Sequence, residues 1–181
     1  MTISHPDLRL RLALPGDMPV LSPLMDRAIG ELLRDFLPPE GVAASYEIMG
    51  LDTQLIADGT YFVVEDADEI AGCGGWSRRA TLFGGDHSAG RDAAFLDPKI
   101  DAARVRAMYT HPDHTRKGVG RIILEACEAA ARAEGFSRVE MAATMGGVPL
   151  YRACGYHDIE PFEAETSKGY RVPLIRMGKR L

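Results

Sequence analysis

The hydrophobic period changes twice between Arg104 and Ala143, and this switch restricts the possible folds more than any other feature of the chain. Arg104 to Thr110 reads as a short strand, with Val105, Ala107 and Tyr109 expected on one face. Gly118 to Glu134 instead spaces Val119, Ile122, Ile123, Ala126, Cys127 and Ala130 by threes and fours, the pattern of one apolar helical stripe. Arg121, Glu125, Glu128 and Arg132 take the other face, and Gly135 suits the residue just past a helix end. Arg138 to Ala143 returns to strand. Strand, helix and strand in so short a stretch imply two parallel strands joined by a right-handed crossover.

Around this unit the punctuation is clear. Leu8 to Leu12 alternates as a strand, closed by Pro15-Gly16-Asp17. Asp17 is the expected N-cap of a helix running to about Phe36, where Pro38 and Pro39 stop it. A second helix is expected from about Pro39 to Ala57. Tyr61 to Val64 and Ile70 to Ser77 flank a polar turn and read as an antiparallel hairpin. Gly72, Gly74 and Gly75 in its second arm would permit close approach of another backbone or of a ligand. Residues 80–103 lack periodicity and form a long loop, either a lid or binding loop or a plain surface insertion. Val148 to Cys154 reads as a short helix and Tyr170 to Met177 as a final strand. The result is one domain over residues 1–181, a mixed α/β sheet covered by helices.

Composition removes several function classes. With 181 residues, 46% of them apolar, the chain can bury one sizeable core. Its 26 acidic and 21 basic residues give a net charge of −5, without the basic stripe that nucleic-acid binding requires, so no nucleic-acid partner is expected. The longest uncharged apolar-leaning run, Met141 to Tyr151, is short and contains Gly146, Gly147 and Pro149, so no membrane partner is expected. Asp7, Arg9 and Arg11 interrupt the start before a signal-peptide core could form. Cys73, Cys127 and Cys154 are scattered and odd in number, which suits reduced thiols in a cytoplasmic protein.

The chemistry concentrates in Thr110-His-Pro-Asp-His-Thr115-Arg-Lys-Gly118-Val-Gly120-Arg121, where a strand ends and a basic, glycine-containing loop runs into a helix start. The first turn of a helix carries unpaired N–H groups and the positive end of the macrodipole. Glycines at 118 and 120 would let a pyrophosphate press against the main chain, and Arg116, Lys117 and Arg121 add positive charge. A tight strand-to-helix turn with close packing would use the same glycines. The P-loop and dinucleotide fingerprints both fail on spacing.

Two motifs together carry a resemblance. Thr115-Arg-Lys-Gly118-Val-Gly120 after Tyr109-Thr-His-Pro112, followed by Leu150-Tyr-Arg-Ala-Cys-Gly155-Tyr156, resembles the cofactor core of the GCN5-related N-acetyltransferase (GNAT) superfamily. The resemblance is specific over 104–156 and loose elsewhere. Thr115 stands where the family usually has Gln or Arg, and Thr144 where it often has Asn. It implies a mixed, mostly antiparallel sheet with a central parallel pair and about four flanking helices. It also implies acetyl-CoA as co-substrate, no metal, and transfer of the acetyl group to an amine in a ternary complex. Met108, Tyr109 and Thr110 would meet the pantetheine arm, with the Met108 N–H polarising the thioester carbonyl. Thr115, Arg116, Lys117, Gly118, Val119, Gly120 and Arg121 would hold the pyrophosphate. Tyr151 falls at the position the family uses as general acid toward the sulfur, since a phenol is protonated at neutral pH.

Other residues are less directive. The family often places Glu early on the 104–110 strand, but Arg104 and Arg106 stand here, leaving Glu140, Glu65, Asp86, Asp158 or a water chain as base. Arg106, expected opposite Tyr109, is either a carboxylate reader or a solvated or paired arginine. Trp76 could wall the acceptor pocket or fill the core. His111 and His114 read as turn and surface residues, and the cysteines as buried, inert thiols. A small-molecule amine is the expected acceptor, and the resemblance allows a homodimer. The competing reading is a catalytically idle acyl-CoA-binding module of the same fold.

Overall fold

The protein is described from a computed structural model covering residues 7–181. Seven strands form one sheet in the order β1-β2-β3-β4-β5-β7-β6. In chain order they are β1 (Leu8–Leu12), β2 (Tyr61–Asp66), β3 (Glu69–Ser77), β4 (Ala103–Thr110), β5 (Arg138–Thr144), β6 (His157–Glu165) and β7 (Arg171–Arg180). Five helices cover it: α1 (Met18–Arg27), α2 (Pro39–Ile48), α3 (Thr53–Ala57), α4 (Val119–Ala133) and α5 (Val148–Ala153). Every neighbouring pair is antiparallel except β4 and β5, as expected for strands joined by a helical crossover.

The sheet separates two cores. Leu21, Met25, Ile29, Leu55, Tyr61 and Tyr109 belong to the one under α1–α3. Val105, Ile123, Cys127, Val139 and Tyr151 belong to the other, under α4 and α5. The glycines of β3 serve the second core. A Cβ on Gly72 would lie 2.5 Å from Val119 Cγ1, and one on Gly74 would lie 2.9 Å from Ile123 Cγ2, so α4 sits close on the sheet because those side chains are missing. Trp76 is core, edge-on to Phe136 at 6.1 Å between ring centroids.

Several sequence expectations shift. Asp17 does not cap α1 through its side chain; its carboxylate accepts from Arg11 at 2.8 and 2.9 Å and from the Leu14 N–H at 2.7 Å. The first helix ends as α1 and passes into one wide π turn at Ala28–Leu32. The second divides into α2 and α3, with Asp52 as the new cap, accepting from the Gln54 N–H at 3.2 Å. Strand β6 was not expected at all. It is an edge strand exposed along most of its length and contains Pro161, so it lacks the alternation that marks a half-buried strand.

The expected single face of Val105, Ala107 and Tyr109 is also corrected. Ala107 has φ +53, and the β3–β4 register slips between Cys73 and Gly75. This bulge reverses the alternation, because an inserted residue shifts every later side chain to the opposite face. Val105 therefore packs under α4 and Tyr109 under α1–α3. Arg106 shares a side with Tyr109 rather than opposing it: it pairs with Asp52, and the Tyr109 hydroxyl accepts from the N–H of the nearby Gly50 at 2.8 Å.

Candidate active site

The glycine-containing turn follows directly from β4. The His111 N–H bonds to Ala71 O at 2.8 Å, and a short 3₁₀ turn spans Pro112–His114. Arg116 (φ +65) and Gly118 (φ +88) then take left-handed conformations before α4 begins. The Ile122 N–H reaches Gly118 O at 3.1 Å, so the amides of Val119, Gly120 and Arg121 open the helix without a carbonyl partner among the described residues. The two glycines act differently. A Cβ at Gly118 would meet nothing within 4 Å, so that residue supplies conformation and open space. A Cβ at Gly120 would lie 2.6 Å from Leu150 Cδ2, so that residue lets α5 pack on the helix start.

The basic side chains divide as well. Lys117 Nζ lies 3.0 Å from Asp66 and 3.3 Å from His114 Nδ1, and this ammonium holds the Asp66 carboxyl below its ordinary range. His114 is buried and also contacts Glu69 at 3.3 Å, so it is not the surface residue expected. Arg116 is exposed and Arg121 half-buried, and neither forms an ion pair among the described residues. The Thr115 hydroxyl donates to Pro112 O at 3.3 Å.

A cleft opens where the parallel strands part. β4 and β5 pair only at Ala103–Val139 and Arg104–Glu140, and from Val105 onward the β5-facing edge of β4 has no strand partner. Ala107, Met108 and Tyr109 line the opening on one side, Ala142 and Thr144 on the other, around a narrow cavity of about 70 Å³ that opens to solvent. Tyr151 also lines this cleft and is 8% exposed. Its ring lies against Gly147, where a Cβ would come within 2.7 Å, and stands 6.0 Å from the Tyr156 ring. Burial pushes the Tyr151 phenol well above its ordinary pKa of 10.0, so it stays protonated.

Residues 27–156 match the family described as the acetyltransferase (GNAT) family. The chain belongs to this family. The YsnE protein of Bacillus subtilis (strain 168), named an uncharacterized N-acetyltransferase, is 26% identical over 130 residues, 69% of this chain and 71% of that protein. Among solved structures, a GCN5-related N-acetyltransferase from Rhodopseudomonas palustris superposes with TM-score 0.72 at 20% identity, covering 100% of this chain and 99% of that one. The yncA protein of Salmonella typhimurium, solved with its cofactor acetyl-CoA, gives TM-score 0.63 at 16% identity, with 97% and 94% covered.

For a GNAT acetyltransferase the arrangement is orderly. The 108–110 strand end and the 115–121 turn are continuous in sequence, and Tyr151, some thirty residues on, is brought to the same cleft as α5 docks on Gly120 through Leu150. The carboxylates considered as base are all engaged. Glu140 binds Arg104 at 3.0 Å and Arg176 at 2.9 Å, while Glu65 binds Arg9 at 2.9 Å and Arg11 at 2.8 Å. Asp158 binds Arg152 at 3.2 Å, and Asp86 accepts from the Thr53 N–H at 3.0 Å. Sequence reasoning missed Asp52, which is 1% exposed and lies against Arg106, itself 4% exposed at the cleft wall. Its one sequence signal was an Asp two residues before Gln54, a capping pattern hidden inside a stretch read as continuous helix. The 80–103 loop is tethered: the Asp86 N–H bonds Leu51 O at 2.9 Å, the Ser88 hydroxyl bonds Glu47 O at 2.8 Å, and Phe83 and Gly84 reach the cleft.

Proposed function

We propose that this acetyltransferase moves the acetyl group of acetyl-CoA to a primary amine by direct attack within a ternary complex. The observation that carries the reading is the unpaired β4 edge, which shares a cleft with Tyr151 and leads through the turn to the open amides of α4. Acetyl-CoA would supply the activated thioester. The amides of Val119, Gly120 and Arg121, with Arg116 and Arg121, would hold its pyrophosphate, because unpaired N–H groups at a helix start favour anions. Lys117, engaged with Asp66, would contribute less. Main-chain groups of Met108, Tyr109 and Thr110 would align the pantetheine arm, and the Met108 N–H would donate to the thioester carbonyl as charge develops there. Tyr151 would give its proton to the leaving sulfur, a role its burial supports by keeping it protonated.

The amine must lose a proton. Because Glu140, Glu65, Asp86 and Asp158 are each held by a cation or an N–H, water in the open cleft is the better-supported acceptor of that proton. Phe83 and Gly84 of the 80–103 loop help line the cleft, so part of its wall comes from a tethered loop, which supports a small-molecule amine as acceptor. Calorimetry with CoA tests the cradle, and thiol release from acetyl-CoA across a panel of amines tests transfer. Binding with no amine-dependent release would favour an idle acyl-CoA-binding module, the reading that the engaged carboxylates support.

A further inference from the structure

The geometry points to Tyr61 as the positioning residue that aims the Met108 N–H into the cleft. The inference rests on the reading of that N–H as donor to the thioester carbonyl. Ala107 C=O and Met108 N–H belong to one peptide unit, and in a trans peptide the two bonds point in opposite directions. Whatever holds the carbonyl therefore aims the N–H.

The holder is visible. The Tyr61 hydroxyl donates to Ala107 O at 2.7 Å, reaching from β2 across the whole width of β3. It can do so because Gly75, its neighbour on β3, has no side chain; a Cβ there would lie 2.7 Å from Tyr61 Cδ2 and 2.6 Å from Thr60 O. Ala107 itself sits at φ +53, a conformation an alanine reaches only when its surroundings over-determine it. Tyr61 is 1% exposed, and burial keeps its phenol protonated and able to donate. With Ala107 O drawn toward β2 and β3, the Met108 N–H faces the opposite way, toward the side where β5 has diverged. An ordinary ladder would pin this peptide from the strand edge, but the bulge removes that pin, and the hydroxyl replaces it.

The test is Tyr61→Phe, which keeps the ring and deletes only the donor. The expected result is a turnover lower by about tenfold, part of what complete loss of an oxyanion donor costs. The KM for acetyl-CoA should stay within about twofold, since the pyrophosphate cradle is untouched. The direct readout is the infrared band of isotope-labelled acetyl-CoA carbonyl bound to the enzyme. In the wild type it should be shifted to lower frequency by the Met108 N–H, and in Tyr61→Phe it should return toward its position in water. A band that stays shifted in a folded Tyr61→Phe, with turnover unchanged, overturns the role of Tyr61 and leaves the Met108 reading intact. A wild-type band with no shift overturns the Met108 reading and the inference with it. Should Tyr61→Phe fail to fold, site-specific difluorotyrosine at position 61 keeps the ring and strengthens the donor. It should lower the carbonyl frequency further, and an unmoved band overturns the inference.

Discussion

Asp52 Oδ2 lies 2.7 Å from Arg106 Nη1, and both side chains are almost wholly buried beside the cleft. Arg91 reaches the other oxygen of the same carboxylate at 3.0 Å, and both arginines donate to Gly84 O. One carboxylate thus ties the start of α3, the bulged strand and the 80–103 loop together.

Breaking that tie should be costly. Asp52→Ala leaves a buried guanidinium without its counter-charge, and we expect a loss of about 3–5 kcal/mol in urea unfolding. Replacing both members, as in Asp52→Leu with Arg106→Met, should recover only part of it, because the buried guanidinium is gone but Arg91 and the Gln54 N–H still lose their acceptor. An unchanged midpoint in Asp52→Ala would show that the pair contributes nothing to the fold.

Tyr151→Phe should lower turnover by about tenfold or more with CoA affinity nearly unchanged, since only the proton for the sulfur is removed. The pH profile offers a second check. Burial raises the Tyr151 pKa, so its acid form persists and no descending limb from this group should enter the profile between about pH 7 and pH 10. Wild-type turnover from Tyr151→Phe would remove the phenol from the chemistry.

Two glycine substitutions should separate binding from folding. Gly118→Ala places a methyl in open space at φ +88, so we expect a stability loss of only about 1–2 kcal/mol alongside a marked loss of CoA affinity by calorimetry. Gly72→Ala places its Cβ 2.5 Å from Val119 Cγ1 and 2.9 Å from Tyr109 O, so thermal melting should fall much further. Equal effects of the two on melting would contradict the distinction.

Acid stability should depend on two surface-proximal aspartates. Arg11 lowers the Asp17 pKa below its ordinary 3.8, chiefly through their hydrogen bonds, and Arg79 does the same for Asp58. A carboxyl whose folded pKa is depressed stabilises fully above its unfolded value, and that contribution is lost as pH falls through the folded one. Below about pH 4 the unfolded chain therefore takes up protons that the folded chain refuses, and stability should drop. Asp17→Asn and Asp58→Asn should each flatten the slope of stability against pH in that window, measured by urea unfolding at stepped pH. Slopes matching the wild type would exclude these pairs as its source.

The parts legible beforehand share one property: their signal is local. Val119, Ile123 and Cys127 mark a helix face by spacing alone, and Gly118 with Gly120 mark its start. The parts that were not legible depend on partners distant in sequence. The edge strand β6 exists because β7 offers it a ladder, not because its own residues alternate. The bulge at Ala107 leaves no trace in the residue types, since alanine has no preference for positive φ, and it moved Arg106 to the same side as Tyr109.

The order of residues alone determined that a parallel pair must flank the 118–134 helix and that glycines mark its opening, because period and glycine placement act over a few residues. Only the folded chain decided where β4 and β5 separate, which carboxylates are already engaged, and that a tyrosine two strands away holds the Ala107 peptide. Those outcomes are set by which backbones approach one another, and close approach is a property of three-dimensional packing to which many distant residues contribute at once.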